Sequence, residues 1–362
     1  SYQTDWVERN DKEITLSGFT SPLRVLSGEH RYPSWLGRFR STLTTLRHLW
    51  QIWKTVKNTS PDFVYVDRSN VIGGALIARL HGVPVVLRVM GVYPSMWDIL
   101  SEKPIGHKIA RWAYRTPFSA VVCTQDGSGG ERWLPHVLSP KTPFHMLLNG
   151  FDGAKRSTRV DPQVENIPTN CTIVLFVGRF ESIKGCEQFA DGVLLALRRG
   201  AKNIHAVMVG TGSLYHTVRE NVNRADANET FTFITRLPHH QVPEVFRRSD
   251  IYVSLNRLGQ LSNANLEAMS MGTCMIIPEA QPEKGIDVPT TDIINSTAAI
   301  RIPWESQVDA LAEAILSLLN NPSQRRTLSK NIKAVANKVI CPWDDRILAE
   351  FSIISEHIGK SI

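Results

Sequence analysis

Long hydrophobic runs are missing from this 362-residue chain: nowhere does it approach the roughly 18 consecutive apolar residues of a membrane-spanning helix. Cysteine is scarce and scattered. Cys123, Cys171, Cys186, Cys274 and Cys341 lie far apart, in or beside apolar runs, without the close pairs that zinc or dithiol chemistry needs. They read as reduced core thiols and predict a cytoplasmic protein, peripheral to a membrane at most. No secretory leader is visible, so the N-x-S/T triplets at Asn58, Asn170, Asn228 and Asn295 say little about glycosylation. Low-complexity segments and repeats are also lacking. So is a G-x-G-x-x-G that follows a strand and opens a helix, which disfavours a nicotinamide dehydrogenase.

What is present fits a globular protein of two domains. The composition is 42% hydrophobic and 21% charged, and the length suits two units of about 150 to 180 residues, each with its own core. The charge is uneven. Residues 1–167 hold 21 Lys/Arg against 14 Asp/Glu, and residues 168–362 hold 20 of each. An acidic partner, such as an anionic membrane or acceptor, would meet the first half first; no nucleic acid is expected.

From about Asn170 the chain alternates apolar runs, Gly-containing turns and helical patterns, as a parallel sheet with crossover helices requires. Strands are predicted at Thr172–Val177, Ile204–Val209, Phe231–Ile234, 251–255 and Cys274–Pro278, and helices at 184–198, 214–224 and from about Gln241 and Ala264. The first half repeats the theme less cleanly, with strands at 13–18, 63–66, 83–89, Ala120–Thr124 and 144–148. The predicted organisation is therefore two Rossmann-like doubly wound domains facing a cleft. Residues 1–151 form the first, 152–168 the linker and 169–340 the second, and 341–362 form a last helix able to pack back on the first domain. Residues 1–10 look like the end of a first helix, so the opening β–α unit is expected to be missing, atypical or supplied by another chain.

Ligands in open α/β sheets bind outside the carboxyl ends of the strands. After the strand ending at Val177 come Gly178, Arg179 and then Lys184 near a helix start. Two cations there make an anion site, or else a solvated loop with a capping cation. The next strand ends at Gly210-Thr211-Gly212, where glycines let backbone approach a ligand closely. Glu267, early in a helix, is either a helix-dipole partner or an acceptor for ribose hydroxyls.

These segments, in this order, resemble the retaining glycosyltransferases of family 4, whose fold is GT-B. Leu148-Asn149-Gly150-Phe151-Asp152 looks like the family's hinge strand, and Phe176-Val177-Gly178-Arg179 with Lys184-Gly185 looks like its donor-phosphate motif. Val209-Gly210-Thr211-Gly212 is similar to its glycine turn, and Leu266-Glu267-Ala268-Met269 with Gly272 to its terminal signature. The resemblance implies that Arg179 and Lys184 hold the donor diphosphate and stabilise its departure, that Glu267 binds the ribose, and that Leu237 lies near the base. Met90, Gly91 and Asn149 are implied to line the acceptor cleft. It implies a UDP-sugar rather than a GDP-sugar as co-substrate, with no metal and no bound cofactor.

Two family residues are replaced. Position 259, where the family has a glutamate facing the transferred sugar, is Gly259, and Met90 stands where a histidine is frequent. Gln260, Ser262 and Asn263 are expected to supply the lost hydrogen bonds to the sugar. The expected function is thus sugar transfer from a nucleoside diphosphate to a lipid-linked, polysaccharide or other glycan acceptor. The alternative is a scaffold or partner subunit that binds nucleotide without turnover.

No acidic residue occurs between Glu29 and Asp62, and Trp35, Phe39, Leu43, Leu46, Trp50 and Trp53 recur there at spacings of three and four. Arg40, Arg47 and Lys54 follow every seven residues along the edge of this stripe. Such a helix lies either at an anionic membrane surface or in the core with solvated cations.

Overall fold

A computed structural model of the chain describes residues 13–14, 23–24, 39–101, 105–153 and 159–359, with side chains from Leu46 onward. The predicted helix at 1–10 and Trp35 lie outside the described residues, and Phe39, Arg40 and Leu43 are placed as helical backbone. Of the strand expected at 13–18, β1 (Glu13–Ile14) is described, paired antiparallel with β2 (Leu23–Arg24).

Two parallel sheets carry the rest. β3 (Val64–Asp67), β4 (Val85–Val89), β5 (Ala120–Thr124) and β6 (Phe144–Leu147) lie side by side in chain order. The second sheet holds β7 (Thr172–Val177), β8 (Ile204–Val209), β9 (Phe231–Ile234), β10 (Ile251–Val253), β11 (Cys274–Pro278) and β12 (Ala299–Ile302) in the order β12-β11-β10-β7-β8-β9. The strand β12 and the helix Gln307–Asn320 add to the predicted elements. Alternate residues serve opposite faces, as a strand demands: Val174 and Phe176 join one core, Ile173 and Leu175 the other. Gly192 lets the helix Cys186–Arg198 press against the helix Gln307–Asn320, since a Cβ there would lie 2.6 Å from Leu311 Cδ2.

The strand order of the second sheet reverses between β7 and β10, which pair in parallel. Chains leaving these neighbours turn to opposite sides, which opens a crevice at their carboxyl ends. The first sheet faces it, and two joins set its position. The first is the helix Trp343–Ile358, which leaves the second domain and lies on the first sheet, where Ile354 packs with Val86, Ala120 and Val122. Its entry is tight: a Cβ on Gly150 would lie 2.8 Å from Trp343 Cα, and the Trp343 N–H donates to Asp152 Oδ1 at 2.7 Å. Beneath it, Glu350 accepts from Arg346 Nη1 at 2.5 Å and from the Tyr65 hydroxyl, with Arg88 Nε at 4.0 Å.

The second join is backbone against backbone across the crevice. The Leu261 N–H donates to Asp126 O at 3.1 Å, and the Asp287 N–H to Gly127 O at 2.8 Å. Asp287 Oδ1 in turn accepts from the Gln260 N–H and the Thr290 hydroxyl, both at 2.7 Å, while its Oδ2 is buried with no partner. Burial pushes this carboxyl from 3.8 up to about 7, against the hydrogen bonds from Thr290 and Gln260.

Two outcomes follow for stability. Glu350→Ala leaves the covered Arg346 guanidinium short of an acceptor and Arg88 without its counter-charge, and should lower stability by roughly 3–5 kcal/mol, read as an earlier denaturant midpoint, with Glu350→Gln milder. The folded state keeps the Asp287 proton that the unfolded chain loses above about pH 4, so this group's contribution is complete at low pH and is lost as pH rises through about 7. Asp287→Asn keeps the acceptor and removes the titration. Its midpoint should vary less than the parent's between pH 4 and 8, with at most roughly 4 kcal/mol at stake; equal slopes would discount the carboxyl.

Candidate functional site

The crevice is built from the loops after β7 and β10. At the end of β7 the chain makes a 3-10 turn, Ser182–Lys184, closed by Gly185 at φ 71° before the helix Cys186–Arg198 begins. A Cβ on Gly185 would lie 2.4 Å from Leu255 Cβ, and the Arg257 N–H donates to Ile183 O at 2.9 Å. Lys184 is thereby wedged between the two loops. Its ammonium is held below the ordinary lysine range, first by burial and then by Arg179 beside it, while Asp126 from the facing domain pulls the other way. Arg179 itself is exposed.

The glycines after β8 have a reason beyond ligand approach. A Cβ on Gly210 would fall 2.0 Å from Gly178 O, and one on Gly212 would fall 2.5 Å from Phe180 O. Gly210 and Gly212 thus let the first two loops of the sheet lie in contact, and Glu181 fastens them by accepting from Ser213 N–H at 3.1 Å and Ser213 Oγ at 2.7 Å. Those bonds hold the Glu181 carboxyl below its ordinary range.

Glu267 is buried in the helix Asn263–Met271, and its Oε1 lies 3.0 Å from His239 Nε2. Burial raises this carboxyl and His239 opposes the rise. His239 stands two residues after the half-buried Leu237, which packs on the neighbouring apolar cluster. Neither His239 nor Asp126 was singled out from the sequence. A signal for Asp126 was there, since Asp126-Gly127-Ser128-Gly129-Gly130 follows β5 and opens the helix Gly130–Val137.

The loop expected to face the sugar divides in two. Gln260 is fully buried: its Nε2 donates to Asn256 O at 2.5 Å, and its Oε1 accepts from Asn265 Nδ2 at 3.0 Å. Its amide shapes the loop and is not directed at a ligand, because a buried amide is stable only when its donors and acceptors are used. Ser262 is half-buried and donates to Asn265 Oδ1 at 3.0 Å. Asn263 is exposed and accepts from Asn149 Nδ2 at 2.8 Å, which links the hinge to the helix start across the domains.

Gly259 is explained by the facing domain. At φ 109°, a Cβ there would lie 2.4 Å from both Asp126 O and Gly127 C, so no side chain fits. On the first-domain wall, Met90 is exposed and Gly91 lies where a Cβ would meet Asp126 Oδ2 at 2.1 Å. Asp126 also accepts from the Ser128 N–H at 2.9 Å, and burial holds its carboxyl above the ordinary range. Arg40, Arg47 and Lys54 are not part of this site; they lie on the helix Phe39–Thr59. Among the described residues no three His, Cys, Asp or Glu side chains gather as a metal site would require.

Residues 157–335 match the family described as glycosyl transferases group 1. The chain is 27% identical over 267 residues to 2-deoxystreptamine N-acetyl-D-glucosaminyltransferase of Streptomyces fradiae, covering 66% of this chain and 62% of that protein. It is 22% identical to alpha-D-kanosaminyltransferase of Streptomyces kanamyceticus, covering 71% and 66%. The matched part thus spans just under two thirds of either relative. Among solved structures, sucrose-phosphate synthase from Thermosynechococcus elongatus superposes with a TM-score of 0.73 at 15% identity, over 98% of this chain and 87% of that one. Anabaena HepE in complex with UDP superposes with a TM-score of 0.67 at 13% identity, over 87% and 84%. The chain has the GT-B fold, and over residues 157–335 its second domain is similar to the glycosyl transferases group 1 family.

Proposed function

We propose that this protein is a retaining glycosyltransferase of the family 4 type that uses a nucleoside diphosphate sugar, UDP-linked in preference to GDP-linked. The observation that carries the reading is the pair Arg179 and Lys184. Two cations crowd one loop at the switch point, close enough for Arg179 to depress Lys184, and the opposing carboxylate belongs to the other domain. An anion with two negative charges relieves that repulsion. As the bond from the anomeric carbon to the diphosphate breaks, charge gathers on the leaving oxygen, and fixed cations stabilise it without a metal ion. Glu267, held by His239, supplies an acceptor for ribose hydroxyls beside it. The relatives named above are themselves glycosyltransferases, and HepE binds UDP.

The acceptor we propose is a glycan, lipid-linked or polymeric, held by the first domain. The name of the Streptomyces fradiae relative points to 2-deoxystreptamine, an amine-bearing ring. The basic excess of residues 1–167 here would repel a cationic acceptor and suits a neutral or anionic one. On the sugar side, position 259 offers no carboxylate. We assign hydroxyl contacts to Asn263, Ser262 and Asp126, which meet at the same crevice from opposite domains.

Calorimetry with UDP in the presence of chelator should show binding, weakened in Arg179→Ala by roughly 1.5 to 3 kcal/mol, the scale of a hydrogen bond to a charged group. Unchanged affinity would remove the diphosphate assignment, and a strict need for divalent metal would remove the leaving-group role of the two cations. Asn263→Ala should lower turnover about tenfold while leaving UDP affinity nearly intact, since one hydrogen bond lost to the sugar costs about 1 to 3 kcal/mol. Tight nucleotide binding with no nucleotide release from any donor and acceptor combination would favour the scaffold reading.

A further inference from the structure

The helix Phe39–Thr59 packs on the helix Val71–Leu80 through Leu49 and Ile52, which lie 3.1 and 3.3 Å from the position of a Cβ on Gly73. Val56 continues that packed stripe. Leu46, Trp50 and Trp53, from the aromatic stripe read in the sequence, are rotated away from that contact. Leu46 is 58% exposed, and Trp50 and Trp53 also face outward. Lys54 lies 4.9 Å above the Trp50 ring and Lys57 5.2 Å above that of Trp53.

A second helix, Ile105–Tyr114, repeats the arrangement. Ala113 and Tyr114 are buried, while Ile105 (75% exposed), Ile109 and Trp112 recur at spacings of four and three on its outer face. The helix Val71–Leu80 bridges the two. Its Arg79 guanidinium lies 4.8 Å over Trp112, its Leu80 is 68% exposed, and His81, next in the chain, has its ring 5.7 Å from that of Trp53. The three helices therefore present one apolar, aromatic surface, and none of them carries an Asp or a Glu.

We propose that this surface docks on an anionic lipid bilayer, with the apolar residues entering the headgroup boundary and the cations meeting lipid phosphates. Indole rings flanked by cations are the side chains that a membrane interface accommodates, since one end prefers hydrocarbon and the other prefers water and phosphate. A second copy of the chain is a poorer occupant, because a symmetric contact would set cation against cation. The proposal deepens the reading of a lipid-linked acceptor, and it stands or falls apart from the donor site, whose nucleotide affinity is measured separately.

Flotation of the full chain with phosphatidylcholine vesicles, with and without added phosphatidylglycerol, tests it. The chain should float with the anionic vesicles alone and release at high salt. Lys54→Gln and, for the exposed Lys108 on the helix Ile105–Tyr114, Lys108→Gln should each lower partitioning about fivefold, equivalent to about 1 kcal/mol per cation. Trp50→Ala combined with Ile109→Asn should abolish binding while leaving UDP affinity unchanged, because all four side chains are exposed. Equal recovery with neutral vesicles, no flotation of the parent protein, or self-association abolished by the same substitutions would each overturn the proposal. So would retention on single-stranded RNA that outcompetes vesicles.

Discussion

The contact on which the molecule depends is the closure of two loops across the crevice, main chain on main chain. Asp126-Gly127 of the first domain and Gly259-Gln260-Leu261 of the second approach so closely that a β-carbon at Gly259 would overlap the facing peptide. Hydrogen bonds from Leu261 and Asp287 to the carbonyls of Asp126 and Gly127 then fix the register. Backbone contacts of this kind are insensitive to side-chain rotamers, so they hold two domains in one relative position at little cost in side-chain entropy. That position brings Asp126 toward Lys184. The electrostatic character of the crevice is therefore a property of both domains together.

The same closure accounts for residues that motif logic treats as substitutions or ligand contacts. Gly259 follows from steric exclusion by the opposite domain. Gln260, wholly enclosed, is a structural amide that supports the loop through Asn256 and Asn265. Gly210 and Gly212 let neighbouring loops touch. At the three glycines the absent side chain marks where one loop meets another.

Domain closure also relies on the last helix. Its Glu350 lies among Arg346, Arg88 and the Tyr65 hydroxyl, and Arg88 donates to Thr124, two residues before Asp126. Removing one partner from such a cluster leaves a covered charge exposed to no solvent, so the cluster resists separation of helix and sheet. The outward aromatic face of the first domain lies apart from these joins, and its geometry is compatible with the crevice staying closed.

The alternating strands and helices of the second domain are legible in the amino-acid pattern alone, because buried parallel strands read as uninterrupted runs such as Ile173-Val174-Leu175-Phe176 bounded by glycine turns. It also located Arg179, Lys184 and Glu267, whose place at strand ends and helix starts is a local property of the chain. The strand β12 has Arg301 among its four residues, so it does not read as an uninterrupted apolar run. The pairing of Glu267 with His239, the approach of Asp126 to Lys184 and the reason for Gly259 depend on residues 28, 58 and more than 130 positions apart. Along the first helix, spacing identified the aromatic stripe, yet two apolar stripes share that helix. Only packing against Gly73 decided that Leu49, Ile52 and Val56 turn inward and that Leu46, Trp50 and Trp53 face solvent, because periodicity records that a face is apolar and cannot record what lies opposite it.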